Sequence, residues 1–198
     1  MTVRTDLATL MAGRRGHVRL ESGHHGDLWL DLDGVFADPT LIRPLVDELA
    51  GRLPPASVVC GPLTGGGFLA QLLAGALGAR FCFARRLADA SRQAPAYRVP
   101  AGLRPLLSDA PVVIVDDVIN AGSAVGATLR DVIACGGRPI AIGALLVLGH
   151  PTEGSRAADL AGEYGIPLAS LDFEPTIRWG LDECPLCAAG EPLADYLD

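Results

Sequence analysis

The chain has 198 residues and a net charge of -7, with 49% AVILMFWYC and 5% aromatic residues. That length carries a substantial core without disulfide or metal staples, and the acidic balance excludes nonspecific nucleic-acid binding through a broad basic face. All 16 basic residues are arginine, so side chains supply no amine nucleophile, whereas guanidinium groups suit phosphate. No apolar run reaches membrane-spanning length and no signal-like apolar region opens the chain. The expectation is a cytoplasmic protein with no membrane and no nucleic-acid partner, folded as one domain over residues 1–198.

Residues 5–11 predict a short amphipathic helix with Leu7, Leu10 and Met11 on one side. Residues 17–20 and 28–33 predict two strands joined by a turn over 22–26, since Leu28, Leu30 and Leu32 alternate with polar or amphipathic neighbours. Residues 1–37 thus form a helix and a flap, either a plain antiparallel element or a cover over a ligand. Asp38-Pro39 marks a helix start, with Leu41, Ile42, Leu45, Val46 and Leu49 at helical spacing. Pro44 predicts a late start or a bend.

From Ser57 a strand–turn–helix rhythm sets in. Strands are expected at 57–60, 80–84, 111–115, 139–148 and 167–171, and helices at 68–77 and 155–164. A glycine-rich turn occupies 61–67. This alternation implies an α/β fold with a central, mostly parallel sheet flanked by helices, whose ligands bind beyond the carboxyl ends of the strands. Residues 85–110 interrupt the rhythm with three prolines and five arginines (Arg85, Arg86, Arg92, Arg98, Arg104). They read as a mobile, structureless lid suited to closing over a polyanion.

The most informative stretch is PVVIVDDVINAGSAVGATLRDVIACGG, residues 111–137. A β-branched strand ends in Asp116 and Asp117. A small-residue turn follows (Asn120, Ala121, Gly122, Ser123, Ala124), then a helix with Val125, Leu129, Val132 and Ile133 at apolar spacing. Backbone amides at such a turn bind an anion through the helix N-terminus. The two acids accept hydrogen bonds from sugar hydroxyls or meet a phosphate-bound Mg²⁺. The pattern is therefore a grip for a ribose phosphate. Thr64, Gly65 and Gly66 in the other turn offer donors for a second phosphate group.

VVIVDDVINAGSA resembles the motif by which type I phosphoribosyltransferases bind phosphoribosyl diphosphate (PRPP). GHVRLESGHHGDLWLDLD and GPLTGGGFLA resemble the flap and diphosphate loop of the orotate phosphoribosyltransferases within that class. The resemblance runs from about residue 7 to residue 148 in the right order. It implies transfer of phosphoribosyl from PRPP to a nucleobase, orotate above all, with release of diphosphate, Mg²⁺ held mainly by PRPP rather than by side chains, and a homodimer. Asp116, Asp117 and Arg86 would be catalytic, with residues 120–124 on the 5′-phosphate. Thr64, Gly65, Gly66, Arg85 and Arg86 would meet the diphosphate.

Three positions depart from the family's pattern. Asp89 stands where the mobile loop carries a lysine, with Arg92 nearby; Glu21 stands where some members hold the orotate carboxylate; and Gly149-His150 replaces an Asp-Arg pair. They leave as alternatives a PRPP-binding regulator without catalysis and a transferase for another base. Cys60, Cys82 and Cys135 lie in apolar patterns that predict buried, inert thiols. In the tail, 179–198, Cys184 and Cys187 have the spacing of half a zinc site. His24, His25 or His150 are the candidates to complete it, beside the plainer reading of a metal-free tail.

Overall fold

The computed structural model describes residues 7, 13–20, 23–87, 96–149 and 156–195. An antiparallel hairpin of β1 (Arg14–Arg19) and β2 (His25–Trp29) opens the described chain. The central sheet follows with β3 (Val58–Pro62), β4 (Arg80–Arg86), β5 (Tyr97–Arg98), β6 (Pro111–Ile119), β7 (Arg138–Leu148) and β8 (Leu168–Glu174). A last strand, β9 (Arg178–Trp179), returns to β2 and makes the hairpin a three-stranded hood. The helices are α1 (Asp33–Ala37), α2 (Pro39–Ala50), α3 (Gly65–Leu77), α4 (Ser123–Ala134), α5 (Arg156–Tyr164) and α6 (Pro185–Ala188).

The central sheet has the order β5-β4-β3-β6-β7-β8, parallel except where β5 turns back on β4. Its period-two alternation divides the core into two layers. Val59, Val113 and Val115 face α2 and α3, packing with Ile42, Val46, Leu49, Leu69 and Leu73. Val58, Cys60, Val112 and Ile114 face α4 and α5, packing with Val125, Leu129, Val132, Ala157 and Ala161. Parallel strands covered on both faces read as continuous apolar runs, which is why residues 112–115 and 141–148 are uniformly buried.

Several local expectations change. The first helix, over 5–11, lies outside the described residues apart from Leu7, which is buried in the first layer. The second hairpin strand begins at His25 rather than at residue 28, because His25 and Gly26 pair with β1 on one side and β9 on the other. The extra helix α1 precedes α2. Asp38 caps α2 as expected; the Thr40 hydroxyl and amide donate to it at 2.7 and 2.8 Å and hold its carboxyl below the usual range. α2 starts at Pro39 and runs through Pro44, whose missing N–H leaves only the Thr40 carbonyl without its helical donor. Ile133, expected to be buried with Val132, is 43% exposed.

The segment read as a structureless lid is folded from Ala96 onward. Residues 97–98 pair with β4, and the Val99 amide donates to Asp131 Oδ2 of α4 at 2.7 Å. A 3-10 turn at Arg104–Leu106 brings Leu107 to full burial. Local apolar anchors (Val99, Leu107) spaced too widely for any regular period hide this order from sequence patterning. Asp89 and Arg92 lie outside the described residues.

Among the described residues, Thr128 Oγ1 of α4 is the buried side-chain polar atom with no hydrogen-bond partner. An unsatisfied buried hydroxyl is destabilising, so Thr128→Val, of the same shape, is expected to raise unfolding free energy by about 1 kcal/mol, measured by urea denaturation.

Candidate active site

The site forms where the connections of the sheet diverge. β3 leads through α3 to β4 on one side, and β6 leads through α4 to β7 on the other. β3 and β6 are adjacent, so their carboxyl ends flank a crevice at the switch point of an open α/β sheet. Both sequence-predicted turns open into it. β3 runs on through Pro62 and α3 starts at Gly65, so the glycine-rich turn narrows to Leu63-Thr64, whose peptide is cis. β6 continues past residue 115 through the acidic pair to Ile119.

The two turns pack on each other through atoms that leave no room for a side chain. A Cβ on Gly65 would fall 2.0 Å from Asp117 Oδ2, and one on Gly66 would fall 2.5 Å from Asp116 Oδ1. A Cβ on Gly61 would meet the carbonyl oxygens of Gly66 at 2.1 Å and Val115 at 2.9 Å. The run of glycines is thus a steric requirement of seating two carboxylates beside a helix start. The glycines at 65 and 66 stand where the sequence predicts a ligand turn, whereas the steric role of Gly61 emerges only in the fold, its one sequence signal being a glycine at the end of an apolar strand.

Asp116 is 8% exposed and accepts the Asp117 amide through Oδ1 at 3.2 Å, while Asp117 is half-buried. Beyond them Gly122 takes a left-handed conformation, φ 66°, at the N-cap of α4. Ser123 at the first helical position is exposed, and Asn120, Ala121, Gly122 and Ala124 are half-buried. The first amides of α4 lack intrahelical acceptors and face the carboxyl edge of the sheet, an arrangement suited to an anion.

β4 carries Arg85 and Arg86 to the same edge. Pro62 pairs with Ala84, and the Leu63 amide donates to the Ala84 carbonyl at 2.9 Å. The two arginines therefore extend one and two residues beyond the glycine turn's own anchor, and both are exposed. Alternation puts Arg85 on the side of Phe83, 5.5 Å over its ring, and Arg86 on the side of Cys82 and Ala84. Thr64 is exposed between them and the acids. The structure thus gathers the acidic pair, the small-residue turn, the glycine turn and two guanidinium-bearing positions along one edge.

A family model described as "Phosphoribosyl transferase domain" matches residues 41–164, more than half of the chain and the whole of this edge. The chain belongs to that family. The orotate phosphoribosyltransferase of Heliobacterium modesticaldum is 30% identical over 89% of this chain and 86% of its own. That of Caldanaerobacter subterraneus subsp. tengcongensis is 29% identical over 90% and 87%. In fold, the phosphoribosyltransferase resembles the crystal structure of orotate phosphoribosyltransferase from Aeropyrum pernix, with a TM-score of 0.64 and 23% identity over 84% of this chain and 91% of that one. The Mycobacterium tuberculosis enzyme in complex with inorganic phosphate aligns with a TM-score of 0.58 and 20% identity over 85% and 92%. The expected fold class is borne out, and these relatives are named as enzymes rather than as regulators.

The remaining cysteines divide as their patterns predict only in part. Cys60 and Cys82 are fully buried, and the hydrogen bond with Cys82 together with burial pushes the Cys60 thiol well up. Cys135 is half-buried. Cys184 and Cys187 sit on the hood beside His17 and His25. His25 was among the expected companions; His17 was not, and His24 is not in the cluster. His150 and Glu21 lie outside the described residues.

Proposed function

We propose that this phosphoribosyltransferase transfers the 5-phosphoribosyl group of PRPP to orotate, giving orotidine 5′-phosphate and diphosphate. The observation that carries the donor half is the packing of the Asp116–Asp117 carboxylates against Gly65 and Gly66 at the switch point. It brings the acidic pair against the start of α3 and beside the small-residue turn before α4, which supports a single edge that holds a phosphorylated sugar diphosphate. The acceptor half rests on relatives named orotate phosphoribosyltransferase that span nine-tenths of the chain.

In this reading the ribose hydroxyls donate to Asp116 and Asp117, and the amides over 120–124 with the Ser123 hydroxyl hold the 5′-phosphate. Thr64, Gly65, Gly66, Arg85 and Arg86 face the diphosphate. The bond from ribose C1 to the diphosphate oxygen breaks with its electron pair leaving on diphosphate, a bond from C1 to the base nitrogen forms, and the proton that nitrogen carried leaves on the departing diphosphate. Positive charge builds on the sugar and negative charge on the leaving group. The fixed carboxylates stabilise the first and the arginines the second. An oxygen-rich setting of carboxylates and substrate phosphates suits Mg²⁺, which would be carried chiefly by PRPP and would neutralise the diphosphate.

No helix among the described residues is long and apolar enough to cross a membrane, and we place the enzyme in the cytoplasm. The homodimer is a further part of the proposal. Phe68 and Leu72, one turn apart on α3, are 51% and 39% exposed and offer apolar surface to a second copy.

The test is a PRPP-dependent assay with orotate, uracil, adenine, hypoxanthine and nicotinate, following diphosphate release with Mg²⁺ present and absent. Turnover is expected with orotate and is expected to fall sharply without Mg²⁺. Turnover confined to another base would overturn the orotate assignment.

A further inference from the structure

The phosphoribosyl-transfer reading leaves one constellation unused. His17 Nε2 lies 2.9 Å from His25 Nδ1, 3.4 Å from Cys184 Sγ and 3.6 Å from Cys187 Sγ. Cys187 Sγ lies 3.2 Å from His25 Nδ1, and all four atoms fall within 4.8 Å of one another. We propose that His17, His25, Cys184 and Cys187 form a tetrahedral zinc site that fastens the C-terminal tail to the hood.

The geometry is close to what the ion demands. Zinc bonds of about 2.05 Å to nitrogen and 2.3 Å to sulfur imply tetrahedral edges of roughly 3.3 Å between nitrogens, 3.5 Å between nitrogen and sulfur and 3.8 Å between sulfurs. The nitrogen–nitrogen separation of 2.9 Å and the three nitrogen–sulfur separations of 3.2, 3.4 and 3.6 Å fall around those edges. Two imidazoles and two thiols are a donor set that selects zinc over hard cations. Four protein ligands leave no open position, the mark of a structural site.

The surrounding chain prepares the ligands. His17 Nδ1 is 2.9 Å from the Glu191 carbonyl oxygen. A carbonyl only accepts, so Nδ1 carries the proton and Nε2 turns its lone pair to the cluster, the way a backbone carbonyl orients a metal-bound histidine. Between Arg15 and Val18 the register of β1 slips by one residue against β2, and Gly16 there has φ 148°. This bulge breaks the alternation so that His17 and Val18 are both buried. His17, His25 and Cys184 are buried, and both cysteines are free thiols.

The tail needs such a fastening. Among residues 181–195 only Cys184 is buried, while Leu181 and Leu193 are 63% and 42% exposed. Its backbone reaches the hood through the Ala194 amide on the His17 carbonyl at 2.8 Å and the Arg19 amide on the Ala194 carbonyl at 2.9 Å. With so little apolar burial, metal binding supplies the folding energy that a core does not.

The test uses the full chain purified without a histidine tag, and its outcome is independent of which base the enzyme accepts. Elemental analysis is expected to find about one zinc per chain. Chelation should lower the melting temperature and added zinc restore it. Co²⁺ added to the stripped protein should give thiolate-to-cobalt charge-transfer bands and tetrahedral d–d bands. Cys187→Ser and His17→Ala should each abolish stoichiometric zinc, and the cobalt spectrum of the wild-type chain decides the matter should either variant be insoluble. Zinc below roughly a tenth of an equivalent after growth in zinc-supplemented medium, with no cobalt bands, would overturn the proposal. So would a Cys184–Cys187 disulfide in the freshly purified protein.

Discussion

Asp117→Asn is expected to lower kcat/KM for phosphoribosyl transfer by roughly 10²–10³-fold and to leave the melting temperature close to that of the wild type. Asparagine keeps the shape that fits against Gly65, so the packing of the two turns survives. What goes is the negative charge near the end of β6, beside which the proposed reaction develops positive charge on the sugar. Because that charge is larger in the transition state than in bound PRPP, kcat falls more than KM rises. Steady-state kinetics alongside thermal unfolding makes the measurement. An Asp117→Asn enzyme with unchanged kcat would remove the carboxylate from the chemistry and leave it a packing role only.

The central sheet was legible because its signals are local. Runs such as 112–115 and 141–148 are apolar throughout, and each is bounded by glycine or proline. The acidic pair and the turn at 120–124 were legible for a related reason: a strand, two acids, small residues and a helix start follow one another without interruption. Elements defined by distant partners were not. β9 is two residues long and exists by pairing with β2, some 150 positions earlier in the chain. His17 gave no sign of belonging with Cys184, since a bulge at Gly16 turns it inward and strict alternation would not. The order over 96–110 likewise depends on Val99 and Asp131 meeting across the fold. In each case the missing information is a long-range contact of one or two residues, too small to leave a periodic trace.

The glycine turn shows how one edge serves both stability and chemistry, and two alanine substitutions are expected to separate the two. At Gly61 the new Cβ would lie 2.1 Å from the Gly66 carbonyl oxygen and 2.9 Å from that of Val115. Both are main-chain atoms, one in α3 and one in the neighbouring strand, so β3 and its surroundings must shift. Overpacking of this kind is expected to reduce unfolding free energy by about 3 kcal/mol, and activity should fall with it. At Gly65 the obstructing atom is Asp117 Oδ2 at 2.0 Å, the tip of a side chain that can rotate away. Alanine in place of glycine restricts the unfolded chain, which stabilises by about 0.4–1 kcal/mol, and a displaced carboxylate costs about 0.5–1.5 kcal/mol. The two roughly cancel, so Gly65→Ala should denature near the wild-type midpoint while losing most of its kcat, as Asp117→Asn does. Urea denaturation and kinetics on the two variants distinguish these outcomes. A Gly61→Ala protein as stable as wild type would contradict the close apposition of β3 and α3. A fully active Gly65→Ala enzyme would mean that the Asp117 carboxylate does not need to stay where the glycine lets it lie.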